Sequence, residues 1–266
     1  MKRVVLLLLA AALAASATAA ARPAAKVKTR TPGVLTIAFG DSAVGFASYQ
    51  LRGNNVINPR GYEADIARAV AAKLGLKTKW IYTPWTGLFA PGTKKFDVSF
   101  QEATITAQRQ KTVTFSSPYL DSNQGVLLSK KAKAPKSIAD LKKLKTCVQT
   151  GTTGLDWINT HLHPTTKPQI YQSTAAAFTA VQIAKCDALV LDVPIVLLQK
   201  KAKPSAYGNV AAQVVTNEKY GAVFQKGDPL ASTFNKTLAQ LKANGTIKKL
   251  QKKWFQIDTA SIPVLK

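Results

Sequence analysis

Acidic residues, cysteine, histidine and long apolar runs are all scarce in this 266-residue chain, and each scarcity narrows what it can do. Asp and Glu number 13 against 37 Lys and Arg, a formal net charge of +24. Such a balance could serve nucleic acid or an anionic envelope surface. The lysine pairs, however, are scattered (94/95, 130/131, 142/143, 200/201, 248/249), and aromatic rings are not interleaved with them as base-stacking platforms would be. A solvated, repulsive coat is expected, with salt-sensitive adhesion to anionic wall or outer-leaflet polymers and no nucleic-acid partner. Two cysteines and two histidines without ligand spacing give no metal site; no cofactor is expected. The one markedly apolar run lies in residues 1–21, behind Lys2 and Arg3 and ahead of small residues, which reads as a secretory signal. Residues 22–32 read as a flexible basic leader. No cysteine stands near the cleavage region, so the exported chain is expected in the periplasm or at the envelope exterior without a lipid anchor.

Export makes oxidation available, which favours pairing of Cys147 with Cys186 over two buried thiols. Both stand at the start of short apolar strands, within disulfide reach if those strands are parallel neighbours.

From Gly33 the pattern is strand, then helix, repeated. Val34–Phe39 reads as a buried strand and residues 40–58 as a polar loop. Ile66, Val70 and Leu74 carry a helical period stopped by Gly75, and Lys77–Tyr82 is the next strand. This alternation argues α/β architecture: mostly parallel, doubly wound sheets flanked by helices, whose ligand crevice lies at the strands' carboxyl ends. Two lobes are expected, residues 33–122 plus 219–266 and residues 123–218, joined by a two-strand hinge near 122–125 and 216–219.

One stretch, Phe96–Asn123, concentrates candidate chemistry. A strand ends at Gln101–Glu102, Thr104 and Thr106 follow with hydroxyls, and Arg109 comes one short turn later. A guanidinium fork beside hydroxyls and free N–H groups suits a small carboxylate; a surface ion-pair partner beside strand-favouring threonines is the alternative. Gly151-Thr152-Thr153-Gly154 opens a helix whose first N–H groups could also meet an anion. Asp192, ending an apolar strand, would be costly to bury unless paired with a cation, or it could cap the helix that starts at Val193–Pro194.

T-I-T-x-x-R followed by T-F-S-S-P-Y resembles the signature of the family 3 extracellular solute-binding proteins, the amino-acid receptors of ABC importers. Gly61–Ile66, Trp85–Leu88, Gln149–Gly154, Cys186–Asp192 and Lys253–Phe255 are similar to further motifs of that family, in its order. The resemblance implies the bilobed type II periplasmic-binding fold with both termini in lobe one, a monomer and a membrane permease as partner. It further implies that Arg109 takes a ligand's α-carboxylate, with the Thr104 hydroxyl and the Thr153 backbone N–H as co-donors. Asp192 would take the α-ammonium, and Trp85 would lie against the side chain. Two departures bear on specificity. Glu102 stands where the family is often small, giving a mild preference for a polar or cationic amino acid, and Phe46 or Tyr49 must supply the ring of a missing aromatic–proline segment. Two other functions are compatible: a dehydratase of small cyclic carboxylates on the same fold, with Glu102 as its proton-transfer group, and a basic polymer-binding protein.

Overall fold

The computed structural model describes residues 27–41 and 43–266. The signal expected over residues 1–21 and the first part of the leader lie outside them. Lobe one is built from β1 (Val34–Phe39), β2 (Ser48–Arg52), β3 (Asn55–Arg60), α1 (Tyr62–Lys73), β4 (Lys77–Tyr82), α2 (Trp85–Leu88), β5 (Val98–Phe100), α3 (Ala107–Gln110) and β6 (Val113–Phe115). The chain crosses on β7 (Leu120–Leu128) into lobe two, which adds α4 (Ile138–Leu141), β8 (Thr146–Gln149), α5 (Thr153–Trp157), β9 (Gln169–Tyr171), α6 (Thr174–Gln182), β10 (Ala188–Asp192) and α7 (Val193–Ala202). It returns along β11 (Val210–Tyr220) to β12 (Val223–Gln225), α8 (Leu230–Ala243) and α9 (Thr246–Trp254).

The lobe-one sheet has the order β2-β3-β4-β1-β5-β12-β6, and that of lobe two β11-β7-β10-β8-β9. Parallel pairing joins β1 to β4 and β5 in the centre of the lobe-one sheet, and β8 to β10 and the edge strand β9 in lobe two. The remaining pairs, including the hinge pair β7–β11 and the β2–β3 hairpin, are antiparallel. Strand β1 is apolar almost throughout because both of its faces are covered, as a central parallel strand requires. Helix α1 buries Ile66, Ala67, Val70 and Ala71 on one face and keeps Asp65 in its first turn, where the helix dipole favours a negative charge. Its entry needs Gly61, at φ +127°, since a Cβ there would lie 2.1 Å from the Phe46 carbonyl oxygen.

In lobe two, β8 and β10 pair in parallel and place Cys147 opposite Leu189, and Cys147 and Cys186 form a disulfide across a Cα–Cα distance of 5.9 Å. The hinge is the antiparallel pair β7–β11, from Leu120↔Tyr220 at the lobe-one end to Val210↔Leu127 in lobe two. Its register breaks between Val214 and Glu218, and the Asn123 side chain fills the break by accepting from the Thr216 and Asn217 N–H groups, each at 3.0 Å.

Two features differ from the sequence reading. Residues 40–58 hold the β2–β3 hairpin rather than a loop: β2 is a short edge strand, and its alternating Tyr49 and Leu51 sit among polar residues and stay partly or largely exposed. The chain also crosses a third time, so residues 219–266 are not all lobe one and the C-terminus is not there. After α9, residues 259–265 run along β11, with the Gln213 N–H donating to the Pro263 carbonyl (2.8 Å) and the Leu265 N–H to the Gln213 carbonyl (2.9 Å). Leu265 is buried in the lobe-two core.

Candidate ligand-binding cleft

Between the lobes lies a narrow cavity of about 40 Å³, well below the roughly 300–1,000 Å³ common for small-molecule sites. Lobe one contributes Asp41, just after β1, Trp85, the first residue of α2, and Gln101 and Glu102, just beyond β5. Lobe two contributes Gln149, Thr152, Thr174, Leu191, Asp192 and Ile195. Most of these positions follow strand ends, the crevice position expected of an open α/β sheet.

The lobes touch directly across this cleft. The Trp85 indole N–H donates to the Thr150 carbonyl at 3.2 Å, and the Arg109 Nη2 donates to the Gly151 carbonyl at 3.0 Å. The other end of the Arg109 fork, Nη1, donates to the Thr104 carbonyl at 2.8 Å. Its guanidinium lies over the Trp85 and Phe89 rings, 5.0 and 4.4 Å from their centroids, a cation–π arrangement. Helix α3 fixes this placement, because the Thr106 hydroxyl caps it by accepting from the Arg109 N–H. Burial lowers the guanidinium pKa, while Asp192, Glu218 and Asp156 oppose that shift.

Asp192 is 6% exposed and ends β10. It occupies the N-cap of α7 yet its side chain makes no capping bond, and Pro194 sits just inside the helix where its missing N–H is tolerated. The carboxylate does not cap its own helix; the Ser122 hydroxyl stands a long 3.4 Å away, and the Tyr220 hydroxyl and the Asp192 backbone N–H also favour its charged form. Burial, then repulsion from Glu218, pushes its pKa up to about 7.

Glu218, on the hinge strand, is the opposite case. One of its oxygens accepts from the Thr104 hydroxyl (2.6 Å) and the Thr153 hydroxyl (2.7 Å), and the other from the Gln124 amide (2.8 Å). These bonds tie lobe one, lobe two and the hinge at one buried carboxylate.

Glu102 has φ +47°, a left-handed conformation uncommon for a side-chain-bearing residue. Its N–H donates to Glu63 Oε1 at 2.9 Å, and Glu63 also accepts from the Tyr119 hydroxyl. The Glu63 Oε2 and Glu102 Oε1 atoms meet no other donor, and the two carboxyl groups bond to each other through a proton held on Glu102. Burial pushes the Glu63 pKa up to about 7, and burial together with the Glu63 charge drives that of Glu102 well above the usual carboxylate range.

The description of bacterial extracellular solute-binding proteins, family 3, matches residues 35–257. The chain belongs to this family. It is 30% identical over 227 residues to ABC transporter arginine-binding protein 1 of Escherichia coli (strain K12), covering 82% of this chain and 90% of that protein. Among solved structures, an ancestral arginine-binding protein bound to glutamine is similar with a TM-score of 0.76 and 29% identity, over 85% of this chain and 100% of that one. The ancestral amino acid-binding protein AncCDT-1, described as a precursor of cyclohexadienyl dehydratase, is 34% identical with a TM-score of 0.73, over 84% of this chain and 96% of that one.

Within this family 3 protein, Trp85, Glu102 and Asp192 line the cavity, Arg109 stands beside it against Trp85, and Thr152, next to Thr153, lies in its wall. Two expected roles change. The Thr104 hydroxyl has a single proton and directs it to Glu218, so it braces the hinge rather than facing a ligand. Phe46 is fully buried among Tyr62, Tyr220 and Phe255 and is a core ring, not a cleft ring. Tyr49 stacks on Phe39 and donates its hydroxyl to the Gly40 carbonyl. Asp41, Gln101, Glu63, Gln124 and Glu218 escaped the sequence reading. Glu218 carried one legible signal: it is an acid within a hinge segment in a chain poor in acids.

Proposed function

We propose that the chain works outside the cytoplasmic membrane as a receptor that closes its two lobes over a free amino acid and delivers it to the permease of an ABC importer. The observation that carries this reading is Asp192: a buried carboxylate in the cleft wall that its own helix leaves uncapped, with the Arg109 guanidinium in the same inter-lobe cleft. A zwitterion answers both, its ammonium at Asp192 and its carboxylate at Arg109 and the Thr153 backbone N–H. Hinged closure brings such groups together from separate lobes. Binding by groups that only need pairing, without tuned proton transfer, is what a receptor requires.

A micromolar Kd corresponds to about −8 kcal/mol, and removing one partner of a desolvated charge pair costs on the order of 2–5 kcal/mol. A thermal-shift screen of the amino acids followed by titration calorimetry tests the reading, since a ligand of the folded state alone raises the melting temperature. Arg109→Ala and Asp192→Ala are each expected to weaken binding by about 30-fold or more while the fold survives. Lys73→Ala, on the outer side of α1, serves as the unaffected control. Normal binding by either cleft variant removes that residue from the site.

A second reading has one observation behind it. Glu102, in the cavity wall with its pKa driven up by burial, could act as a proton donor toward a cyclic carboxylate. Turnover of a prephenate- or arogenate-like acid that disappears in Glu102→Gln would favour that enzyme; binding without turnover favours the receptor.

A further inference from the structure

We infer that the amino acid taken by this cleft carries a cationic side chain, a guanidinium or an ammonium, gripped by Asp41 and Glu102 with the Gln101 carbonyl as a third acceptor. This rests on the amino-acid reading above and names the ligand class of the same site. The first argument is an inversion of charge. Lys and Arg outnumber Asp and Glu 37 to 13 in the chain, yet the cavity wall holds three carboxylates, Asp41, Glu102 and Asp192, and no Lys, Arg or His. One α-ammonium accounts for Asp192. Two carboxyl groups remain on the lobe-one wall, Asp41 and a Glu102 that burial and Glu63 keep protonated, and a nearby cation favours the ionised form of each.

The second argument is an unanswered acceptor on that same wall. Gln101 is 5% exposed, and its amide nitrogen donates to the Thr83 carbonyl and the Ser99 hydroxyl, each at 3.1 Å. Those bonds fix which way the amide faces and leave its Oε1 buried with no donor. The Gln101 oxygen lies close over Gly40, beside Asp41, where even a Cβ would come within 1.8 Å of it. Asp41 is itself oriented by the Tyr82 hydroxyl, 3.2 Å from Oδ1, and Glu102 by its N–H bond to Glu63. A buried acceptor without a donor is unfavourable, so a ligand that brings several N–H groups is selected over one that brings none. Among the described residues no group of three or more His, Cys, Asp and Glu is arranged to hold a metal ion, which points to an organic cation.

Titration calorimetry of the full-length protein with L-arginine, L-lysine, L-citrulline and L-glutamine tests this, citrulline having the shape of arginine without its charge. Arginine or lysine is expected to bind about 30-fold or more tighter than citrulline. In Asp41→Asn, a half-buried loop position, and in Glu102→Gln the preference is expected to shrink, and in the double variant to fall within about threefold, with citrulline binding retained. Citrulline or glutamine binding as tightly as arginine overturns the cationic assignment and leaves the receptor reading standing. A preference unchanged in all three variants, shown folded by an intact melting transition, also overturns it. Failure of every amino acid to bind overturns both.

Discussion

Asp192 and Glu218 are two buried carboxylates at one inter-lobe junction, and their surroundings differ completely. Glu218 accepts three short hydrogen bonds from both lobes and the hinge, whereas Asp192 has a long bond from Ser122 and weaker help from the Tyr220 hydroxyl and its own N–H, and does not cap the helix it begins. An acid satisfied by the protein is a structural tie. An acid the protein leaves underpaired is held ready for something the protein does not supply, at a cost in stability. The contrast separates the hinge carboxylate from the proposed recognition carboxylate more sharply than burial does, their exposures being nearly equal at 8% and 6%.

The comparison can be broken from both sides. Glu218→Ala would strand the Thr104 and Thr153 hydroxyls and the Gln124 amide, and is expected to cost on the order of 3 kcal/mol in chemical denaturation of the ligand-free protein. Asp192→Asn should act in the opposite direction, stabilising the ligand-free protein by on the order of 2 kcal/mol at pH 8 while destroying binding. The pH dependence follows from the same groups. Burial raises the folded-state pKa values of Asp192 and Glu63 from 3.8 and 4.5 to about 7 each. The folded state therefore holds these protons more tightly than the unfolded one, and their contribution is complete below about pH 4 and lost as pH rises through about 7. The melting temperature of the ligand-free protein should fall between pH 5 and pH 8, with a shallower slope in Asp192→Asn. Amino-acid affinity should run the other way, weakening by up to about tenfold per unit below pH 7, because an ammonium needs the ionised Asp192. The smallest effect is expected at the third crossing. Gln213 donates to the Thr259 and Ile262 carbonyls, at 3.1 and 2.8 Å, and Gln213→Ala should cost about 1 kcal/mol. It should also speed hydrogen exchange over residues 259–265.

Much of this architecture could be read from local pattern. The period of Ile66 and Val70, the apolar β1 and the strand ends at Gln101 and Asp192 each announce themselves within a few residues, and two cysteines in an exported chain leave one possible pairing, across 39 residues. What could not be read depends on partners distant in sequence. The Thr104–Glu218 bond spans 114 residues and turns an expected ligand donor into a hinge brace. Phe46 is expected in the cleft because it stands where the family carries an aromatic–proline segment, but the structure packs it against Phe255 from the far end of the chain. The Glu63–Glu102 pair brings a residue of α1 beneath a loop after β5, with no local signal in either segment. The tail was hidden for another reason. A segment that pairs along an existing strand edge needs little hydrophobic alternation of its own, and Leu265 is its only buried anchor.

The most direct measurement is a crystal structure of the protein with the tightest-binding amino acid from the screen. The account predicts the α-ammonium within hydrogen-bond distance of Asp192, the α-carboxylate against Arg109, and Glu218 still bonded to Thr104 and Thr153. A ligand seated away from Asp192, or one whose carboxylate displaces Glu218 from those two hydroxyls, would contradict it.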